Sequence, residues 1–185
     1  MLEELQRFSP GAIEELLQQE IFCYADVPYR LKPYAEILRD PHATIVYDAG
    51  RAAQIGARVT VMGTDGKLLC APDGGIYHVS LIEKLLVPVL SKLSNLVGDA
   101  GIWMNTQRPE WNDANNALVG NGVAMVTLCH LRRYVAFLAA LLDGAGGATV
   151  SISTEVVAWC GRLHLSLTRN IPLSGSPRIH DHDRK

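Results

Sequence analysis

Ser80-Leu81-Ile82-Glu83-Lys84-Leu85-Leu86-Val87-Pro88-Val89-Leu90-Ser91-Lys92-Leu93 is apolar over most of its surface. A run of that length with so few charges predicts a buried helix, not a strand. Ser80 stands at its N-cap, with Glu83 in the position that completes a capping box, and Pro88 predicts a bend. Downstream, Ala117 to Leu142 predicts a second long apolar helix: Leu131, Tyr134, Val135 and Leu138 recur at three- and four-residue steps, while Arg132 and Arg133 fall on the other side. Gly144, Gly146 and Gly147 stop it. Ser153 or Thr154, followed by Glu155, opens a further helix that fades near Asn170 and Pro172.

Upstream, Ser9-Pro10 with Glu14 and Glu15 reads as a helix start, and Ile13, Leu16, Leu17 and Ile21 carry that helix to about Phe22. Pro28, Pro33 and Pro41 punctuate an irregular connection in which Tyr34 to Arg39 makes a helical turn. Asp48 is placed as the cap of a helix through about Val61, ended by Gly63. Lys67 to Cys70 and Ile76 to Val79 flank Ala71-Pro72-Asp73-Gly74-Gly75, which predicts a short β-hairpin near residues 67–79. The expected class is all-α, as one domain over residues 1–173 with a polar, disordered tail over 174–185.

With 48% hydrophobic and 19% charged residues, the 185-residue chain has the composition of a packed globular domain. Its formal net charge of −2 leaves no electrostatic footprint for nucleic acid or an anionic membrane. The start, Met1-Leu2-Glu3-Glu4-Leu5-Gln6-Arg7, lacks a basic region followed by an apolar run, and no stretch reads as a membrane span, so a cytoplasmic location is expected. Cys23, Cys70, Cys129 and Cys160 form no CxxC pair and read as buried reduced thiols.

Chemistry concentrates between the two long helices. Arg108-Pro109-Glu110-Trp111-Asn112-Asp113-Ala114-Asn115-Asn116 crowds two carboxylates, three amides, an indole and a guanidinium into one polar loop. Trp103, Asn105 and Gln107 precede it. Indole faces suit the C–H side of a sugar ring, and amides donate to and accept from its hydroxyls. Packing of both indoles under an irregular loop, with Asp113 or Asn112 as a helix cap, is the plainer alternative. It accounts for one polar residue and leaves Glu110, Asn115, Asn116 and Asn121 unexplained. His180-Asp181-His182-Asp183 lies in the polar tail with nothing to fix ligand geometry, so neither a metal nor a cofactor is expected.

Glu110-Trp111-Asn112-Asp113-Ala114-Asn115-Asn116, followed by Val119-Gly120-Asn121-Gly122, resembles the Trp-Asn-Asp-Gly-x-Asn segment of cellobiose phosphorylases and related inverting enzymes of the six-hairpin, (α/α)6-toroid glycosidase superfamily. The stretch from about Asp48 to Leu142 looks like part of such a protein. The chain departs from the pattern at Ala114, where those enzymes carry Gly, and at Glu110, where they carry Asp or Gly. The resemblance implies helical hairpins of an (α/α)6 toroid and assigns Asp113 as general acid, with Glu110 as its neighbouring carboxylate. Trp103, Asn105, Gln107, Arg108, Trp111, Asn112, Asn115 and Asn116 would line the sugar site. The ligand is then an oligosaccharide or glycoside, cleaved by water or by inorganic phosphate. Glu155 and Asp143 are the available second carboxylates, each with an ordinary role at a helix terminus. About twelve helices of about 12 residues, joined by about 5 each, take at least about 200 residues. The chain is therefore expected to be a fragment supplying about half the ring, with exposed apolar helix faces that invite self-association. A non-catalytic carbohydrate-binding or scaffold protein on the same helical fold is the alternative.

Overall fold

Asp48 starts the most regular segment of the chain. Its Oδ1 accepts from the Arg51 backbone N–H at 2.8 Å, and the helix it caps, here α4 (Ala49–Met62), ends where Gly63 turns to a φ of 66°. The computed structural model describes residues 2–9, 11–105, 119–144, 147 and 149–170. In chain order these form α1 (Leu2–Phe8), α2 (Ala12–Gln18), β1 (Glu20–Cys23), β2 (Tyr29–Leu31), α3 (Tyr34–Arg39), β3 (Ile45–Tyr47), α4, a 3-10 turn (Gly63–Lys67), β4 (His78–Ser80), α5 (Leu81–Leu93), β5 (Leu96–Val97), β6 (Gly101–Trp103), β7 (Val123–Ala124), α6 (Met125–Gly144) and α7 (Thr154–Asn170).

The expected all-α class and its toroid of helical hairpins are overturned. The described residues are 58% helical and 16% strand, and the strands pair β1 with β4, β2 with β3, and β5 with β6 with β7 in small antiparallel sheets. The physical reason is strand length. Pieces of two to four residues are too short to show a period of two, and their apolar residues read as continuations of neighbouring helices. Ile21 and Phe22 thus belong to β1, and Val123 and Ala124 to β7, where helix is expected. Around Ala71–Gly75 the chain does turn back on itself: Ala71 N–H donates to the Gly75 carbonyl at 2.8 Å, Tyr77 N–H to the Leu69 carbonyl at 2.8 Å, and Cys70 bridges Ile76. Its outgoing arm then joins β1 rather than extending a hairpin with Lys67–Cys70.

The described residues divide into two compact units. The first takes residues 1–19, 80–104 and 121–185, and α5 is its centre. Leu81, Ile82, Leu85, Val89 and Leu90 of α5 are buried, as are Ile13 and Leu17 of α2, Leu131, Leu138 and Leu141 of α6, and Val156 of α7. Tyr134 of α6 faces inward, its hydroxyl donating to the Leu85 carbonyl at 3.2 Å, and burial pushes its phenol pKa up. Val135, expected on that inward face, is exposed.

Ser80, the residue before α5, and Glu83 in its first turn tie this helix to the segment that leads into α7. Ser80 gives no cap hydrogen bond from its side chain, so the expected capping box is not completed; its hydroxyl donates to the Ser151 carbonyl at 3.1 Å. The Glu83 carboxylate, 2% exposed, accepts from Ser153 N–H at 2.7 Å and from the Ser153 hydroxyl at 2.7 Å. Trp159 Nε1 donates to the Ser94 hydroxyl at 2.9 Å.

The second unit takes residues 20–79 and 105–120. In it β2 and β3 pair with Tyr29 opposite Tyr47 and Leu31 opposite Ile45. Gly66 lets the 3-10 turn lie on the last turns of α4: a Cβ there would collide with the backbone of Arg58 and Val59. Gly66→Ala is therefore expected to destabilise the protein by about 2–3 kcal/mol, read as a lower urea midpoint at unchanged slope.

By length and composition alone, one helix among the described residues, α6, is long and apolar enough to cross a membrane. It carries Arg132 and Arg133 mid-length and buries Leu131, Leu138 and Leu141 in its own unit. Of the cysteines, all free, Cys129 and Cys160 are exposed and Cys23 and Cys70 half-buried, against the expected buried thiols.

Candidate functional site

In the chain, β6 precedes the polar loop and β7 follows it. Trp103 pairs with Val123 across the antiparallel ladder, and Met104 N–H donates to the Gly122 carbonyl at 3.0 Å. Met104 and Gly122, eighteen residues apart in the chain, are thereby brought together. Trp103 is half-buried, with its backbone N–H donating to the Asn95 carbonyl at 2.7 Å, and Asn105, half-buried too, falls in the second unit. Gln107, Arg108, Glu110, Trp111, Asn112, Asp113, Asn115 and Asn116 lie outside the described residues, as do residues 171–185 with their His-Asp repeat. Glu155 is exposed in the first turn of α7, where it accepts from the Thr154 hydroxyl at 3.1 Å, and Asp143 is exposed in the last turn of α6.

On the far side of the loop the chain is fixed inside the second unit. Val119 is fully buried, and Gly120, at a φ of 76°, lies against Pro41 so closely that a Cβ on it would sit 2.8 Å from the Pro41 carbonyl carbon and nearer still to Pro41 Cβ and O. Only a residue without a side chain fits that backbone conformation at that separation.

One charged cluster in this unit escapes a reading of the sequence. Asp26, with its side chain 5% exposed, accepts from Arg51 Nε at 2.9 Å and from Arg58 Nη2 at 2.5 Å, while Arg51 Nη2 stands 2.8 Å from its second oxygen. Arg58 also donates to the Gly66 carbonyl at 3.2 Å. Burial pushes the Asp26 carboxyl up, but the hydrogen bonds and charges of Arg51 and Arg58 outweigh it and hold the group below the usual aspartate range. The partners stand 25 and 32 residues along the chain, so no local motif announces them. The one available signal is the seven-residue spacing of Arg51 and Arg58, two helical turns, which puts both on one face of α4.

The first unit holds a small open cleft of about 190 Å³, lined by Glu14, Leu17, Gln18, Ile82, Leu142 and Val150 among others. Neither Trp103 nor Asn105 lines it. No protein-family model matches the chain, and no curated protein matches it.

Proposed function

We propose that the protein is carbohydrate-active and cleaves glycosidic bonds with inversion, in the manner of the six-hairpin glycosidases and cellobiose phosphorylases that its polar loop resembles. The observation that carries this reading is the segment Glu110-Trp111-Asn112-Asp113-Ala114-Asn115-Asn116, set between the paired ends of β6 and β7. Asp113 is the general acid, giving its proton to the leaving glycosidic oxygen, with Glu110 as the second carboxylate of the segment. Trp103 and Trp111 offer faces to the sugar rings, and Asn105, Gln107, Arg108, Asn112, Asn115 and Asn116 take the hydroxyls. Water, or inorganic phosphate, attacks the anomeric carbon from the opposite side. No cofactor enters this chemistry. The reading places the protein in the cytoplasm, and exposed Met125 and Val126 of α6 with Val157 and Leu165 of α7 favour association between copies.

A second reading, a non-catalytic carbohydrate-binding protein, has its own support. Among the described residues the two buried carboxylates, Asp26 and Glu83, are both committed to protein partners. Neither is free to activate water.

A panel of glycans, screened for thermal shift and for turnover with and without phosphate, separates the readings. Asp113→Asn is expected to lower turnover by about 10²–10⁴-fold while leaving the sugar-dependent shift in place. If the protein only binds, Trp111→Ala removes the shift, Asp113→Asn does not, and no variant turns over. Absence of any glycan-dependent shift or turnover in the wild type overturns both.

A further inference from the structure

We infer that the two-stranded β2–β3 ladder is a docking face for a second copy of this chain, which packs its own ladder against it about a two-fold axis. The register puts Tyr29 opposite Tyr47 and Leu31 opposite Ile45. Hydrogen bonds close the ladder on either side of them, from Asp48 N–H to the Pro28 carbonyl at 2.7 Å and from Lys32 N–H to the Thr44 carbonyl at 2.9 Å. Both pairs therefore stand at non-hydrogen-bonded positions, where opposed side chains lie closest, and all four side chains share one face. That face is the exposed one: Tyr29 is 51%, Leu31 46%, Ile45 48% and Tyr47 65% exposed. On the other face Thr44 is 2% exposed and Lys32 and Val46 are half-buried, with Arg30 exposed beside them. A half-buried sheet ordinarily turns its apolar set inward, and this ladder turns it to solvent. Two strands alone are marginal in water, so such a face calls for a cover. It carries no charged group, and its only polar atoms are two phenol hydroxyls, so the occupant is apolar. A second copy supplies the matching surface. A two-fold axis across the strands lays the tyrosine pair of one ladder on Leu31 and Ile45 of the other, large side chains on smaller ones. At about 200 Å² per side chain, the exposed parts of these four and of Tyr34 and Leu38 in α3, 51% and 57% exposed, amount to roughly 600 Å² per copy. Two copies then bury roughly 1,200 Å², the lower bound of a specific interface, so the dimer is weak, with a Kd on the order of tens of micromolar. The inference does not depend on the carbohydrate reading, and it uses a different surface from the exposed residues of α6 and α7.

Sedimentation velocity of the full chain from about 1 µM to about 500 µM tests it. The wild type is expected to pass from monomer to dimer across that range. Tyr47→Glu, which puts a charge into the centre of the contact, is expected to raise the dissociation constant by at least about 10-fold at an unchanged urea midpoint. Leu31→Lys, on the other strand, is expected to do the same, and it serves if Tyr47→Glu fails to fold. Leu165→Glu in α7 is the control and should leave the equilibrium unchanged. Hydroxyl-radical footprinting of the wild type reads the face without any substitution: Tyr29 and Tyr47 are expected to lose labelling several-fold between the dilute and the concentrated sample. A wild type that stays monomeric at about 500 µM overturns the inference, and so does a dimer that Leu165→Glu abolishes and the ladder variants leave intact. Protection of Tyr29 and Tyr47 already in the dilute monomer would mean that the chain covers its own ladder, which overturns it as well.

Discussion

Glu83→Ala is expected to destabilise the protein by about 3–4 kcal/mol and to lower its melting temperature by about 10 °C. The carboxylate sits in the first turn of α5 with only 2% of its surface exposed, and it takes both the backbone N–H and the hydroxyl of Ser153. Ser153 immediately precedes α7, whose first turn also hydrogen-bonds back to its carbonyl from Val156 and Val157 at 3.0 and 3.1 Å. Glu83 therefore holds the N-terminus of one helix from the body of another, with a negative charge where the exposed N–H groups of α7 favour one. Hydrogen bonds to a charged acceptor contribute about 1.5–3 kcal/mol each, and truncation leaves the Ser153 donors without that partner in a closed environment. Glu83→Gln keeps an acceptor of the same shape and should lose about half as much. A double-mutant cycle with Ser153→Ala measures the direct term, expected at about 1–3 kcal/mol. Additive losses would show that Glu83 acts through packing alone.

That same pair marks the limit of what the sequence discloses. The order Ser80-x-x-Glu83 fits a capping box, and the helix it announces is real, but the side chains reach across to Ser151 and Ser153 instead. Tertiary partners seventy residues away outbid the local pattern. Helices whose ends carry their own signals were legible: Asp48 and Gly63 bracket α4, Pro33 and Pro41 flank α3, and Ser153-Thr154-Glu155 opens α7. The strands were not legible. β5, β6 and β7 have two or three residues each, and Trp103 pairs with Val123 twenty residues along the chain. Of the candidate site residues, Trp103 and Asn105, which precede the polar loop, lie among the described residues, and the rest of that site is carried by sequence chemistry. Asp26 is the converse case: the structure makes it the focus of a charge cluster, while in the sequence it is one acidic residue before Val27 and Pro28.

Asp26→Ala is expected to cost about 3 kcal/mol. Removing one partner of a buried ion pair costs about 3–5 kcal/mol when the charges left behind cannot reach water. Here the side chains of Arg51 and Arg58 are 39% and 24% exposed, so both guanidinium groups recover some hydration and the low end applies. Arg58→Ala should cost more than Arg51→Ala, because Arg58 is the less exposed of the two and also fastens the Gly66 carbonyl against α4. The pH dependence follows from the direction of the Asp26 shift. Its folded pKa lies below the ordinary value, so the unfolded chain binds the proton more readily. The stabilisation is fully present above the ordinary aspartate pKa of about 4 and is lost as pH falls through the lower folded value. Urea midpoints taken from pH 6 down to pH 2 should therefore fall more steeply for the wild type than for Asp26→Asn, whose amide does not titrate. Parallel curves would mean that the two arginines do not favour the carboxylate over its protonated form, and the cluster would then be a matter of shape and hydrogen bonding alone.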